Sequence, residues 1–329
     1  MPAESGARRH VISIGNFDGV HLGHKAILRE ARAMADASDA GVLALPFDPH
    51  PATWLAPERV PPRLTSRTQR ERWLRAAGCD EVVFLTPDEQ TLGQEAEAFI
   101  EGLVERYRPT GFVEGPDFRF GHQRKGDLDL LRSLGETHGF AVRVVEPVEV
   151  VLHDRMVHRA GSSLARWLVG HGRVEDATRV LGRAFALEST IVKGEQRGRG
   201  IGFPTINLDA EALRPFILPA DGVYAGMAEI EGETQAYPAA ISVGVKPTFK
   251  GSEVTVEAHL LGLDDEVYGR GVSLSFVKWV RDQQAFDGLE ALVRQLSRDV
   301  EQVRAWADED VLVVGDPAMA SVVKRLAGA

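Results

Sequence analysis

The stretch "HVISIGNFDGVHLGHKAILREARAMADA", His10 to Ala37, decides how the first half of the chain is read. "HVISIG" is an apolar run of strand length, whereas "LGHKAILREARAMADA" spaces its apolar residues at helical intervals. A buried strand therefore passes through a short loop into an amphipathic helix. Gly15, Gly19 and Gly23 permit tight turning and close approach of a ligand to the backbone. The helix start offers unpaired N–H groups and a positive dipole end, which together suit an anion. His21 and His24, three residues apart, reach one face there, and their N–H groups suit charge developing at a phosphorus centre. A lone loop histidine is commonly just solvated or capping. Here two histidines, the glycines and the strand–loop–helix context coincide, which favours a phosphate site.

Outward from this stretch the alternation continues. "AGVLALPFD", "CDEVVFLT", "PTGFVEG" and "FAVRVVEPV" read as strands, separated by helical patterns in "TSRTQRERWLRAAG", "QEAEAFIEGLVERYR" and "GDLDLLRSLGETHG". Such alternation predicts an α/β, Rossmann-like domain, with ligands beyond the carboxyl ends of a parallel sheet. "SSLARWLVGHG" and "VEDATRVLG" read as two short helices closing that domain, which spans residues 1–183. From Ala184 the texture changes to short alternating strands with glycine-rich turns: "FALESTIVKGE", "GVYAGMAEIEGETQAYPAAISVG", "SEVTVEAHLLG" and "GVSLSFVKWVR". Only "GLEALVRQLSRDVEQVRAWAD" is helical in spacing, so residues 184–329 predict a small antiparallel β-barrel domain with a C-terminal helix.

Bulk properties narrow the classes. The chain has 329 residues, long for one core, with 44% hydrophobic and 26% charged residues, as ordinary globular proteins have. A net charge of −10, from 38 basic and 48 acidic residues, disfavours a broad nucleic-acid surface while allowing a local basic nucleotide pocket. The single cysteine, Cys79, excludes an internal disulfide and a cysteine-rich metal site. No signal-peptide core and no apolar run of membrane-span length is present, so a cytoplasmic location without membrane partners is expected.

The opening stretch resembles the HxGH nucleotidyltransferase superfamily. "FDPHP", "RLTSRTQR", "GPDFRFGHQRKGD" and "RAGSSLARWL" follow in the order of the adenylyltransferase half of the bacterial bifunctional riboflavin kinase/FAD synthetase family. The resemblance runs from about Val11 to Trp306 through six or more collinear motifs. It implies that His21 and His24 contact ATP phosphates catalytically, with Gly15 and Asn16 shaping the loop. Phe47, His50 and Pro51 would lie on the flavin side, Asp117 would support nucleotide binding, and Arg159, Ser162, Ser163 and Arg166 would grip phosphates. The serine pair also fits a plain helix cap, and the same geometry serves both roles. Arg119, Arg124 and Lys125 fit a solvated charge cluster equally well. Pro116 stands where the family often has an acidic residue, and Leu164 where it often has arginine.

"VKGEQRGRGIGFPTINL", Val192 to Leu208, resembles the glycine-rich loop and PTxN motif of riboflavin kinase. The resemblance implies that Gly194, Gly198, Gly200 and Gly202 wrap ATP phosphates, that Phe203 touches flavin, and that Thr205 and Asn207 hold Mg2+. It places the catalytic base at Glu257 in "VTVEAHLLG". Alternation with Val254 and Val256 alone would make that carboxylate a solvent-facing strand residue, and His259 is expected to be structural. Ser242 replaces the usual asparagine and Lys246 the frequent arginine. The implied activity is phosphorylation of riboflavin by ATP to FMN, then adenylylation of FMN by ATP to FAD with release of pyrophosphate. Its small-molecule substrates are ATP, riboflavin and FMN, and it has no nucleic-acid partner. Whether the chain forms a homo-oligomer, and what the extension after Asp308 does, are left open by the sequence.

Overall fold

Because both faces of β1 (His10–Gly15) are covered, its sequence is mostly apolar rather than alternating. The computed structural model describes residues 9–194, 197–248 and 251–308. After β1 come α1 (Leu22–Ala37), β2 (Gly41–Pro46), α2 (Ala52–Leu55), α3 (Arg67–Ala76), β3 (Glu81–Val82), α4 (Glu89–Leu92), α5 (Ala96–Tyr107), β4 (Pro109–Glu114), α6 (Leu128–His138) and β5 (Ala141–Val144). The five strands form a parallel sheet in the order β3-β2-β1-β4-β5. Ile12, Ile14, Leu43 and Phe112 face α5 and α6 through Phe99, Ile100 and Leu131. The alternate residues Val11, Val42, Ala44 and Val113 face α1 and α3 through Leu28, Ala31 and Leu74. Strand order reverses between β1 and β4, so the crevice beyond their carboxyl ends is where this topology binds ligands.

The helix signals in this half are realised closely. Ser66 caps α3, and its capping box with Gln69 satisfies two otherwise orphaned N–H groups. The eight-residue run read as a strand in "CDEVVFLT" is reduced to Glu81–Val82, paired with Leu43 and Ala44. As the last strand of the sheet, β3 has β2 on one side and no strand on the other to extend its pairing.

A hairpin, β6 (Glu149–Val151) with β7 (Val157–Arg159), then leads to α7 (Ser162–Gly170) and α8 (Val174–Leu181). The sequence reading had α7 and α8 closing the first domain at residue 183; compactness divides the chain differently. One unit contains the chain up to Pro61 with Ser66–Val150 and Val157–Gly161; the other contains Pro62–Thr65, Val151–Met156 and the chain from Ser162. The reason is the apolar face of α8, where Val174, Ala177, Val180 and Leu181 are buried and the helix packs on barrel strands.

The second unit continues with β8 (Phe185–Val192), β9 (Ile206–Leu208), α9 (Ala210–Leu213), β10 (Gly222–Ile230), β11 (Ala236–Thr248), β12 (Gly251–Leu260), β13 (Gly271–Arg281) and α10 (Leu289–Asp308). Six strands close a barrel in the order β10-β11-β12-β9-β8-β13, with every adjacent pair antiparallel, so no edge is left unpaired. The short β9, which the sequence reading did not separate from the "FPTINL" motif, joins β8 to β12 and completes closure. β10 is apolar on both faces for a visible reason. Ala225 and Met227 pack beneath Val303 and Trp306 of α10, while Tyr224 meets Phe276 edge-on.

One buried ion pair ties α10 to the barrel. Arg281 donates through Nε and Nη2 to both oxygens of Asp299 at 2.9 and 2.7 Å, and Gln295 adds a bond of 2.9 Å. Asp299 is 1% exposed, so its removal strands a guanidinium in a poorly hydrated place. Asp299→Ala is expected to cost about 3–5 kcal/mol in denaturant unfolding of the intact chain.

Candidate active sites

At the crevice between β1 and β4 lies a cavity of about 400 Å³. Gly15, His21, Gly23 and His24 line it from the β1–α1 side, and Glu114 and Asp117 from the end of β4. The turn into α1 is strained. Phe17, Gly19 and Val20 have φ of 50, 81 and 37°, and two of these three are not glycine. A left-handed conformation costs a β-branched residue on the order of 1–3 kcal/mol. Burial of the Phe17 and Val20 side chains, 1% and 0% exposed, offsets it.

The turn delivers His21 as the N-cap of α1, its Nδ1 accepting the His24 N–H at 3.4 Å. That contact favours the tautomer with the proton on Nε2, leaving a donor on the other side of the ring. The His21 and His24 rings stack at 3.6 Å. Gly23 makes room for this: a Cβ there would sit 3.0 Å from the His21 ring. The sequence thus placed both histidines correctly at the helix start, while of the three loop glycines only Gly19 uses a positive φ.

The residues expected near flavin cluster at the end of β2. His50 Nδ1 accepts the Ala52 N–H at 3.1 Å, and His50 Nε2 lies 3.2 Å from the Asn16 amide. Pro51 precedes α2, and Phe47 packs on the sheet layer. Arg70, quoted in "RLTSRTQR" but assigned no role, ties this cluster together. It is 5% exposed, donates to the Asn16 and Phe47 carbonyls at 2.9 Å each, and is ion-paired with Asp48. Its signal in the sequence was an arginine within the helical pattern of "TSRTQRERWLRAAG". Arg119 and Lys125 stand near Asp127 and Glu95 at 4.0 and 3.7 Å on the surface, as a solvated charge cluster would. Pro116 lines the cavity, and Arg159 is exposed in β7 beside the lining residue Ala160. Ser162, Ser163, Leu164 and Arg166 fall on α7 in the second unit, where Arg166 Nε donates to the Pro62 carbonyl at 2.7 Å.

Glu114 was not anticipated. It is 3% exposed, and its Oε1 accepts the Ile14 N–H at 2.8 Å. Burial pushes its carboxyl well above the ordinary carboxylate range, and the Ile14 bond only partly opposes this. Cys79 is also buried, and burial pushes its thiol up to about 12, so it is not a ready nucleophile.

The barrel brings the second motif set together. Glu257 on β12 pairs in register with Asn207 of β9 on one side and Ser242 of β11 on the other. Thr205 Oγ1 donates to Glu257 Oε2 at 3.4 Å. Gly194 and Gly198 have no room for side chains: a Cβ would lie 2.4 Å from the Asn207 amide and 2.2 Å from the Phe203 carbonyl. Gly200 and Gly202 have open space around the Cβ position. Phe203 meets the His259 ring edge-on at 5.5 Å, and His259 Nδ1 lies 2.7 Å from the Pro204 carbonyl. A neighbouring cavity of about 420 Å³ is lined by Arg199, Thr205, Leu260, Glu266 and Tyr268. Ser242 is engaged: Gln283 Nε2 donates to its Oγ at 2.8 Å and to the Val243 carbonyl at 2.9 Å. The Lys246 side chain and the extension from residue 309 lie outside the described residues. Among the described residues no group of three or more His, Cys, Asp or Glu could hold a metal ion.

Residues 3–158 match the FAD synthetase family and residues 181–307 the riboflavin kinase family. The Escherichia coli K12 bifunctional riboflavin kinase/FMN adenylyltransferase is 33% identical over 290 residues, covering 88% of this chain and 90% of that one. The chain belongs to the bifunctional riboflavin kinase/FMN adenylyltransferase family. The Pseudomonas fluorescens member is also 33% identical, over 90% of this chain and 93% of its own. A crystal structure described as a macrolide-efflux protein from Streptococcus pneumoniae superposes with a TM-score of 0.82 at 30% identity, covering 92% of this chain and 96% of that one. The enzyme makes FMN from riboflavin and ATP, and FAD from FMN and ATP. No helix among the described residues is long and apolar enough to cross a membrane.

A pH dependence of stability follows from Glu114. Its folded value is raised, so its contribution is fully present below the ordinary carboxylate value and is lost as pH rises through the raised one. Relative to Glu114→Gln, the wild type is expected to lose stability with rising pH by up to about 1.4 kcal/mol per unit across that window. Denaturant unfolding across a pH series checks it.

Proposed function

We propose that FMN adenylylation takes place in the first-unit cavity and riboflavin phosphorylation at the barrel site. The observation that carries this division is the difference in proton chemistry. Glu257 stands among Thr205, Asn207 and Ser242, whereas the first-unit cavity presents imidazoles on the helix start. A ribityl hydroxyl must lose a proton as its oxygen bonds to the γ-phosphorus and ADP departs. Glu257 would accept that proton. An FMN phosphate oxygen is already a nucleophile near neutral pH. Its attack on the α-phosphorus of ATP, with pyrophosphate leaving, asks only for alignment and charge stabilisation.

In this reading His21 Nε2–H and His24 stabilise the transferring phosphoryl oxygens, Asn16 and Gly15 shape the loop, and Asp117 supports the nucleotide. Phe47, His50 and Pro51 face the flavin, with Arg70 holding their loop against Asn16. Arg159, Ser162, Ser163 and Arg166 remain assigned to phosphate by family resemblance. At the barrel, Gly194, Gly198, Gly200 and Gly202 admit the ATP phosphates, and Phe203 contacts flavin. Thr205 Oγ1 and Asn207 supply hard oxygen donors in reach of Glu257, a set that fits Mg2+ completed by phosphate oxygens and water. When bound, Mg2+ would neutralise phosphate charge during transfer. The same reading places the enzyme in the cytoplasm, where ATP and flavins are to hand.

Two variants separate the halves. With riboflavin, ATP and Mg2+, Glu257→Gln is expected to lower FMN formation by about 10²–10⁴-fold while FAD formation from added FMN persists. His24→Ala is expected to do the reverse, lowering FAD formation by about 10²–10³-fold with FMN formation retained. Chromatographic product analysis reads both; FAD made at full rate by His24→Ala would overturn the assignment of the first site.

A further inference from the structure

Two polar side chains in the first-unit cavity have hydrogen-bonding capacity that neither the roles assigned above nor the sheet uses. Ser13, on β1, is 0% exposed, and its Oγ has no partner among the described residues. Glu114, at the end of β4, gives Oε1 to the Ile14 N–H, while Oε2 makes no hydrogen bond among the described residues. Both line the cavity. Their strand neighbours Val11, Ile12, Phe112 and Val113 are fully buried and apolar. Polar groups buried with unused capacity cost roughly 1–3 kcal/mol each. Stability alone would favour an apolar side chain at Ser13 and, at Glu114, asks only for the one acceptor that Ile14 uses.

The titratable groups lining the cavity divide by side. From the β1–α1 turn come His21 and His24, over the positive end of α1; from the loops after β4 and β5 come Asp117 and Glu146. A polyphosphate is drawn to the first side and repelled by the second. The uncharged part of the nucleotide is thereby directed toward β4 and β5, where Ile27, Val145 and Pro147 supply apolar walls. We propose that Ser13 and Glu114 are specificity-determining residues that hydrogen-bond the sugar–base half of the nucleoside triphosphate. The inference rests on the reading that this cavity takes the nucleotide. Burial raises the Glu114 carboxyl well above the ordinary range and so favours its protonated form, in which Oε2 can donate while Oε1 accepts from Ile14. The serine hydroxyl donates or accepts as the ligand requires. An ionised carboxylate here would face Asp117, Glu146 and the incoming triphosphate.

The test measures FAD formation from FMN with ATP, 2′-deoxyATP or GTP, the last two separating sugar from base contacts. FMN formation by the same preparations reports folding. Glu114→Leu is expected to raise the KM for ATP about tenfold or more with kcat little changed, and to narrow the preference for ATP over at least one analogue. Glu114→Gln keeps both an acceptor for Ile14 and a donor for the ligand, and is expected to recover most of the loss. Ser13→Ala is expected to shift the same ratios by about three- to tenfold. In the wild type the KM for ATP is expected to rise at alkaline pH, and in Glu114→Gln to stay level. Unchanged ATP:2′-deoxyATP and ATP:GTP ratios in both Glu114→Leu and Ser13→Ala would overturn the inference, even if those variants melt earlier. Full FAD synthesis by His24→Ala would instead overturn the site assignment beneath it.

Discussion

The turn from β1 into α1 is the constraint on which the first site depends. Between Gly15 and Leu22 the chain must pass from strand to helix and bring His21 and the start of α1 to the cavity. It does so through positive φ at Phe17, Gly19 and Val20. Only the glycine adopts such a φ without steric cost. Phe17 and Val20 hold theirs because their side chains are sealed into the layer between the sheet and α1, beside Leu28 and Ala31. The strain and the core therefore support one another. Loosening that layer would release the turn and with it the stacked pair His21 and His24. Arg70 of α3 adds a second tie, donating to the Asn16 and Phe47 carbonyls and so joining the loops that follow β1 and β2.

The barrel site is organised on another principle. Closure leaves no free edge, so Glu257 is fixed by paired neighbours on both sides, Asn207 and Ser242. The departure at Ser242 is absorbed by Gln283, whose amide bonds both the serine hydroxyl and the next carbonyl. In the proposed assignment the contrast between the sites follows from their acceptors: an alcohol needs somewhere to send a proton, and a phosphate does not.

Much of this was legible in the chain. His10–Gly15 and Leu22–Ala37 were bounded correctly because their apolar periodicities differ and a capping residue separates them. The long strands of the barrel and α10 were readable for the same reason. Less visible were β3, whose apolar run exceeds its pairing, and β9, three residues that become a strand only when β8 and β12 flank them. The helices α7 and α8 were recognised as helices, but compactness groups them with the barrel rather than with the sheet. Periodicity shows that a face is apolar without showing what it will cover.

By itself the sequence determined the kinds of element, the two texturally distinct halves and the residue types for phosphate chemistry, since these depend on local periodicity and short motifs. Only the tertiary structure decided which side chains converge. Glu114 and Ile14 lie a hundred residues apart and meet because β1 and β4 are neighbours in a sheet whose order no local pattern encodes. The same holds for Thr205 with Glu257, and for the burial that raises the Glu114 carboxyl above its ordinary range. Hydrophobic period is a property of a segment; desolvation and hydrogen-bond partnership are properties of the packed whole.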